Sequence, residues 1–506
     1  MRLYRMVFFQ ARVRLVQAGA VFTVAALIAG CGNSYRNSVQ TQSVTGPPPQ
    51  PSSFAVAVSS PSPTTPGIAT VIDYSGDSIM ATAAIGPGPT AFSVDPLGAN
   101  GYTINSDHTL TEFPVSYQLQ ELNVSYATLP TTAQPLNFFT PAAGLWAANL
   151  DGNLVDFFKF SPLQLVDTVP ISPSTSVPVT VLGSPNYLSR YFSINQNLPS
   201  SPSGMECNAS PYPTSVTGSV TAIETSNYAA DPPITVGICP VFAVMGPYAE
   251  RLFVLNRGSD TISVIYGQTD QLDNQCPTGC VNQSGQTYYS HPALPLSTAA
   301  VTATGITPPN GTSGMPATAG PVYAEYNFLT SQLVVANYDA GTVSIIDVSL
   351  DEYGNDSPTF GTTYTVPVGK NPASVTVLVD GSRAYTANQG DQSVTIVNLS
   401  SHTVEKTLAV TGHPRTVVST QNSTSGKVYV SSPDSNELTI IRTDEDIVPT
   451  TLQLEGNIVD VRVTSQNAVN NGGNYNYVSR IPGWGQPCNL PDTASLASLA
   501  ACQTLP

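Results

Sequence analysis

The side chains best equipped for chemistry in this 506-residue chain are few and scattered. Its four histidines, His108, His291, His402 and His413, lie in separate stretches with no metal-ligand spacing among them. There is no Cys-x-x-Cys-His run for covalent haem, no Gly-x-Ser-x-Gly elbow and no phosphate-cradling glycine loop. The acidic stretch Asp347, Asp351, Glu352 and Asp356 offers the oxygen ligands that calcium takes. Its spacing departs from the known calcium loop, so a solvated outer turn is the expectation, and Asp444, Glu445 and Asp446 read the same way. No catalytic group, cofactor or metal centre is expected from these residues.

The N-terminus reads as an address. Arg2, Arg5, Arg12 and Arg14 form a basic leader, and the run from Leu15 to Ala29 is mostly apolar. That run is shorter than the roughly 20 residues of a permanent membrane helix, which points to an export signal. The segment Ile28-Ala29-Gly30-Cys31 resembles a bacterial lipobox. The resemblance implies a signal peptide over 1–30 and a lipid on Cys31, anchoring the protein to a membrane. A plain signal peptide with a chance cysteine is the competing reading. Gly32, not Asp, follows the cysteine, which favours the outer membrane in a Gram-negative source, on its periplasmic face or at the cell surface. Residues 31–53 are polar and proline-rich, cannot offset their ordering entropy, and read as a tether spanning about 25 Å.

Cysteine usage agrees with export. Cys207, Cys239, Cys276, Cys280, Cys488 and Cys502 are an even set, read as disulfides in an oxidising compartment. Closeness in sequence suggests Cys276 with Cys280 and Cys488 with Cys502, leaving Cys207 with Cys239. A metal site on Cys276-Pro-Thr-Gly-Cys280 competes, but no histidine is near it in sequence.

Only 10% of the residues are charged, and the net charge is −16 with a pI near 4.4. That balance excludes a nucleic-acid partner, which needs a basic footprint. With 38 Gly and 44 Pro, and no sustained helical spacing after residue 53, the expected content is nearly all β.

The elements that must position any site are repeats. A β-type run ending in Asn, a polar turn and a second β-type run recur at 253–267 (FVLNRGSDTISVIYG), 334–348 (VVANYDAGTVSIIDV) and 385–399 (YTANQGDQSVTIVNL), with weaker copies at 102–115, 146–160 and 429–443. Repeated units must stack on their copies to bury their faces. Prolines 89, 135, 178, 240, 321, 372 and 414 precede inner strands, several after a Gly that lets the chain return sharply. Their short spacings, 42 to 51 residues, fit four-stranded blades of a β-propeller, and two units, of 62 and 81 residues, carry insertions. An eighth inner strand begins at Asn457 without a unit to complete it, while 67–74 and 78–85 look like third and fourth strands lacking a first. Joining these halves closes the ring through both termini. Eight blades are expected, with seven as the alternative.

These repeats resemble the YVTN family of β-propellers, through Tyr385-Thr386-Ala387-Asn388 and Thr342-Val343-Ser344-Ile345-Ile346-Asp347. Members are commonly exported or surface-attached, and the wider group resembles cytoplasmic lactonases. Asn256, Asn337 and Asn388 are expected to form turns by satisfying local backbone groups. Inner-strand starts such as Ser374 and Thr416 are small, so the channel is expected to be chemically bland. The expected organisation is a propeller over 54–480 and a cysteine-bearing tail over 481–506. The expected function is a monomeric, non-catalytic, envelope-anchored binding scaffold for a protein or glycan partner. The alternative is lactonase-like hydrolysis in the central channel, for which converging Glu, Asp, His or Arg side chains would be the evidence.

Overall fold

A proline has no N–H for a β ladder and is tolerated at the start of an edge strand. In the computed structural model, which describes residues 53–464 except 74, 96, 130–134, 141–143, 150–152, 161, 184–188, 199–206, 208–212, 214, 298–317 and 421, six prolines hold that place. Pro89, Pro135, Pro178, Pro240, Pro321 and Pro372 each open an innermost strand. Each lies opposite a repeat asparagine, Asn105, Asn149, Asn195, Asn256, Asn337 or Asn388, and in every case the register shifts just after the proline. The shift is a bulge, which twists the strand where it turns in from the preceding blade.

The sheets form eight blades. Blade 1 is built from both ends of the described chain: from the axis outward it runs Asn457–Val463, Phe54–Ser60, Pro66–Asp73 and Ser78–Pro87. Blades 2 to 8 open on Pro89–Val94, Pro135–Phe139, Pro178–Gly183, Pro240–Met245, Pro321–Asn327, Pro372–Val377 and Thr416–Ser419. The expected closure is therefore found, with Pro66–Asp73 and Ser78–Pro87 as third and fourth strands. The eight inner strands pack on one another in sequence around the axis.

Sheet faces are buried between neighbouring blades. Val334 and Ile345 of blade 6 meet Val375, Val377 and Val397 of blade 7, while Ala55 and Val461 of blade 1 meet Tyr429 and Ile440 of blade 8. Between blades 3 and 4, Trp146 lies 4.7 Å from the Tyr191 ring. Each such buried aliphatic or aromatic side chain contributes about 1.5–3 kcal/mol. The outer strand Thr403–Ala409 is almost wholly exposed, as a rim must be.

The repeat asparagines are structural, but their partners differ from expectation. Asn388 Nδ2 donates to Ser393 Oγ at 3.1 Å and Thr395 Oγ1 at 2.8 Å on the third strand. Asn337 donates likewise to Thr342 and Ser344, Asn256 to Thr261 and Ser263, and Asn105 to Thr109 and Thr111. Side-chain hydroxyls, not mainly turn backbone, are bound. The hydroxyl two residues before the asparagine returns a bond to Oδ1 in three blades, from Thr103, Ser193 and Thr386. In blades 5 and 6 that place holds Val254 and Val335, and the buried Oδ1 atoms of Asn256 and Asn337 have no partner among the described residues. The glycine three residues before a blade proline is explained by the same side chain: a Cβ on Gly369 would stand 2.7 Å from Asn388. At Gly369 close approach, not a turn, excludes a larger residue.

The two long units carry the expected bridges. Cys207–Cys239 joins the insertion of blade 4 to the entry of blade 5, and Cys276–Cys280 closes the loop beside the small hairpin Cys280–Val281/Thr287–Tyr288. Residues 1–52 and 465–506, with Cys31, Cys488 and Cys502, lie outside the described residues.

Restoring the missing hydroxyl tests this hydrogen-bond scheme. Val335→Thr is expected to leave the urea midpoint unchanged or raise it, because its hydroxyl finds Asn337 Oδ1. Val343→Thr, a buried control without such an acceptor assigned, and Asn388→Ala should each cost about 1–3 kcal/mol. Equal losses in the two Val→Thr variants would overturn the scheme.

Candidate functional site

The bland channel expected from Ser374 and Thr416 is not what the ring builds. Those two residues serve the framework: Ser374 Oγ donates to the Arg415 carbonyl at 2.9 Å, and Thr416 pairs with Ser431. The chemistry lies at the third and fifth positions of other inner strands. In blades 5 and 7 those positions hold Phe242 and Val244, and Ser374 and Thr376. In blade 6 they hold Tyr323 and Glu325, and blade 1 contributes Asp460 and Arg462 from its own innermost strand. Arg415 enters from the start of blade 8, next to Pro414.

These groups form one network on the axis. Arg462 Nη2 lies 2.8 Å from Asp460 Oδ2, and the guanidinium also interacts with Tyr323, so a side chain of blade 1 meets one of blade 6. Glu325 lies beside Thr376 and the Val377 backbone, whose polar groups favour its ionised form, and the Thr376 hydroxyl donates to Ser419 Oγ at 3.0 Å. The Tyr323 ring packs on Phe242 at 4.6 Å between centroids. Arg415 Nη2 donates to the Val459 carbonyl. Arg415 and Asp460 are buried, while Tyr323, Glu325 and Arg462 keep partial access although protein surrounds them. Groups on inner strands in that position reach solvent along the axis.

Burial sets the electrostatics. It pushes the Glu325 carboxyl up to about 7, against the lowering effect of Val377, Thr376 and Arg462. It raises the Tyr323 phenol to about 12, with Glu325 and Asp460 adding to the rise and Arg462 opposing it. Burial lowers Arg415, partly offset by Asp460. In Arg462 the attraction of Asp460 and Tyr323 outweighs burial and the pKa rises. The result is two guanidinium groups, an aspartate paired with one of them and a carboxyl that exchanges its proton near neutrality. Such a set can bind a polar solute, donate to an oxygen or take up a proton. The signal was present in the sequence as charges inside otherwise apolar inner strands, PVYAEYN and NIVDVRV, but only the register shows that they converge.

A second buried cluster stands where the blade 5 insertion meets a loop of blade 6. Arg251 Nη2 lies 3.1 Å from Asp356 Oδ1, and its guanidinium carbon sits 3.7 Å from the Tyr266 ring centroid. His291 Nδ1 meets Asp356 Oδ2 at 2.7 Å, and the His291 N–H donates to Asp273 Oδ2 at 3.2 Å. Asp356 therefore departs from the solvated turn expected of it: it is 3% exposed and clamps two blades. Asp351 does cap its own turn, accepting from the N–H groups of Tyr353 and Asn355, and Asn282 of the hairpin donates to it. Burial, and then the adjoining Asp356, push Asp273 up to about 7 against the pull of Arg251. Asp446 likewise is not a free outer turn, being paired with Arg383 and bonded by Tyr385.

The other histidines take unrelated places. His413 pairs with Asp434 at 2.5 Å, His402 stacks on Tyr364 at 3.6 Å, and His108 sits in a turn with φ of 61°. Glu224, Asp231 and Asp270 converge on the rim, where Arg190 bridges Glu224 and Asp270.

No family model matches the chain, and no curated protein matches it by sequence. Among solved structures it is similar to apo AztD from Citrobacter koseri, with TM-score 0.52 and 11% identity, covering 81% of this chain and 97% of that one. It is also similar to dihydro-heme d1 dehydrogenase NirN in complex with DHE, with TM-score 0.54 and 12% identity, covering 84% and 76%. At this identity the likeness establishes a shared β-propeller fold alone.

The raised carboxyls dictate a sign for pH dependence. Glu325 and Asp273 near 7, and Asp270 pushed up to about 6 mainly by burial, hold protons more tightly folded than unfolded. Their stabilising contribution is full below about pH 4 and is lost as pH rises towards 7. The melting temperature at constant ionic strength is expected to be higher at pH 5 than at pH 8, and Glu325→Gln or Asp273→Asn should flatten that slope. A melting temperature that rises steadily from pH 5 to 8 would contradict these assignments.

Proposed function

We propose that this protein is an envelope-tethered binding propeller that takes a small polar solute on the ring axis. The observation that carries this reading is the convergence of Tyr323, Glu325, Asp460 and Arg462 from opposite arcs of the ring. Charged groups are scarce in this chain, and hydrophobic residues of similar volume at these places would hold a ring together at least as well. Their retention on the axis supports a ligand role. The lipobox-like Ile28-Ala29-Gly30-Cys31 supports a lipid anchor at Cys31 in the outer membrane, and the YVTN-like repeats are consistent with an exported protein. The disulfide-bearing insertions of blades 4 and 5 are the surfaces on which a protein or glycan partner of the envelope would dock.

Two measurements test the proposal. Metabolic labelling with a palmitate analogue should mark the wild-type chain and not Cys31→Ser; an unlabelled wild type removes the anchor. Purified protein should show a saturable shift in melting temperature with at least one small polar solute, lost in Arg462→Gln.

Lactonase-like hydrolysis is the second reading, favoured by a Glu325 carboxyl poised near neutral pH beside the Thr376 hydroxyl. It requires turnover of a lactone that Glu325→Gln reduces by about 10²-fold or more. Absence of turnover across lactone ring sizes would leave the binding reading alone.

A further inference from the structure

Seven arginines stand among the described residues, and six of them have a carboxylate within ion-pair distance. The exception is Arg415. It is 3% exposed, and among the described residues its guanidinium makes one hydrogen bond, to the Val459 carbonyl, and no ion pair. The other deeply buried arginines show what such a site ordinarily requires: Arg251 holds Asp356 at 3.1 Å and Arg257 holds Asp339 at 3.0 Å. A guanidinium cannot shed its proton, so burial leaves its charge in place and in need of a counter-charge.

Asp460, which acts on Arg415 from beyond ion-pair distance, is already engaged by Arg462 at 2.8 Å. The axis therefore carries two guanidinium groups beside Asp460 and Glu325, and neither carboxyl lies within ion-pair distance of Arg415, inside a chain whose net charge is −16. The group is also held in place. Its backbone N–H donates to Ser431 O at 2.9 Å, its carbonyl accepts from Ser374 Oγ at 2.9 Å, and Val459 fixes the guanidinium. A fixed, desolvated fork of N–H donors is pre-organised for an oxyanion. If Arg415 only stitched blade 8 to blade 1 through Val459, a neutral amide would suffice without the desolvated charge.

We infer that the axial solute is an oxyanion, carried as a carboxylate or a phosphate, whose negative oxygens pair with Arg415 beside Arg462 and Tyr323. This rests on the axial binding reading above and gives the ligand its chemical class.

The test uses the full-length protein, followed by thermal shift and calorimetric titration at pH 7 with malonate, inorganic phosphate or glucose as probes. Sodium chloride at matched ionic strength is the blank. Malonate or phosphate is expected to bind saturably and chloride to have no effect, and whichever of the two binds identifies the oxyanion. Arg415→Gln, which keeps a donor for Val459, should weaken that binding at least tenfold while melting at or above the wild-type temperature without probe. If Arg415→Gln does not fold, Arg415→Lys serves instead: it keeps the charge, loses the fork, and should retain weakened binding. Glucose binding wild type and Arg415→Gln alike, with neither anion bound, would overturn the oxyanion inference and leave axial binding standing. Failure of all three probes would remove both.

Discussion

The structure depends on one antiparallel pairing, that of Phe54–Ser60 with Asn457–Val463. It is secured at its end by Phe54 N–H donating to Thr464 Oγ1 at 2.7 Å and by Thr464 N–H donating to Phe54 O at 2.8 Å. A radial stack of sheets has two open faces until its first and last blades meet, and those faces are as apolar as the rest. Pairing strands from opposite ends of the chain inside one blade covers both at once. The same pairing sets the chemistry of the axis, because it inserts a strand with Asp460 and Arg462 among inner strands that are otherwise largely apolar or hydroxylated. Closure and the candidate site are therefore one event: a chain that failed to close would hold Tyr323 and Glu325 without their partner.

Within each blade the asparagine device acts at short range. One amide ties the second strand to two hydroxyls of the third, five and seven residues on, where a sheet's own ladder leaves side chains free to slip. Its bulk then requires the preceding blade to pass it with a glycine, as at Gly369. The motif is a register pin and a blade joint together, which explains its recurrence without any ligand role. Where its companion hydroxyl is replaced by Val254 or Val335, an acceptor is buried without a donor among the described residues, and the blade tolerates the loss because the other bonds remain.

Departures from the repeat lie at the rim. The insertion of blade 5 breaks the outer strand into Gln271–Leu272 and Ala293–Pro295, and what it loses in ladder it regains from a disulfide and the Arg251–Asp356–His291 cluster. Buried charges of this kind add little net stability, since desolvation consumes most of the attraction, but they permit only one arrangement of the two loops they join. The clamp therefore orients a surface more than it strengthens the ring.

Much of this was legible in the residues. Proline spacing, the Asn motif and the unmatched terminal strands pointed to a propeller of eight blades, with seven as the alternative, and to its manner of closure, because each is a local rule about backbone donors, turns or strand edges. Cysteine spacing led to Cys276–Cys280 for a similar reason, as neighbours in sequence are readily neighbours in space, and cysteine parity left Cys207–Cys239 as the remainder. The axial site was not legible. Glu325 and Arg462 lie 137 positions apart in the chain, and each alone looks like a charge misplaced in a strand. Asp356 was read as a wet turn because the partners of its carboxylate, Arg251 and His291, belong to another blade. What the sequence determined by itself was the repeating unit and the way it joins its copies, which are set by contacts within about fifty residues. Only the tertiary structure decided which side chains share the axis, because ring closure brings together strands whose separation in the chain carries no periodic signal.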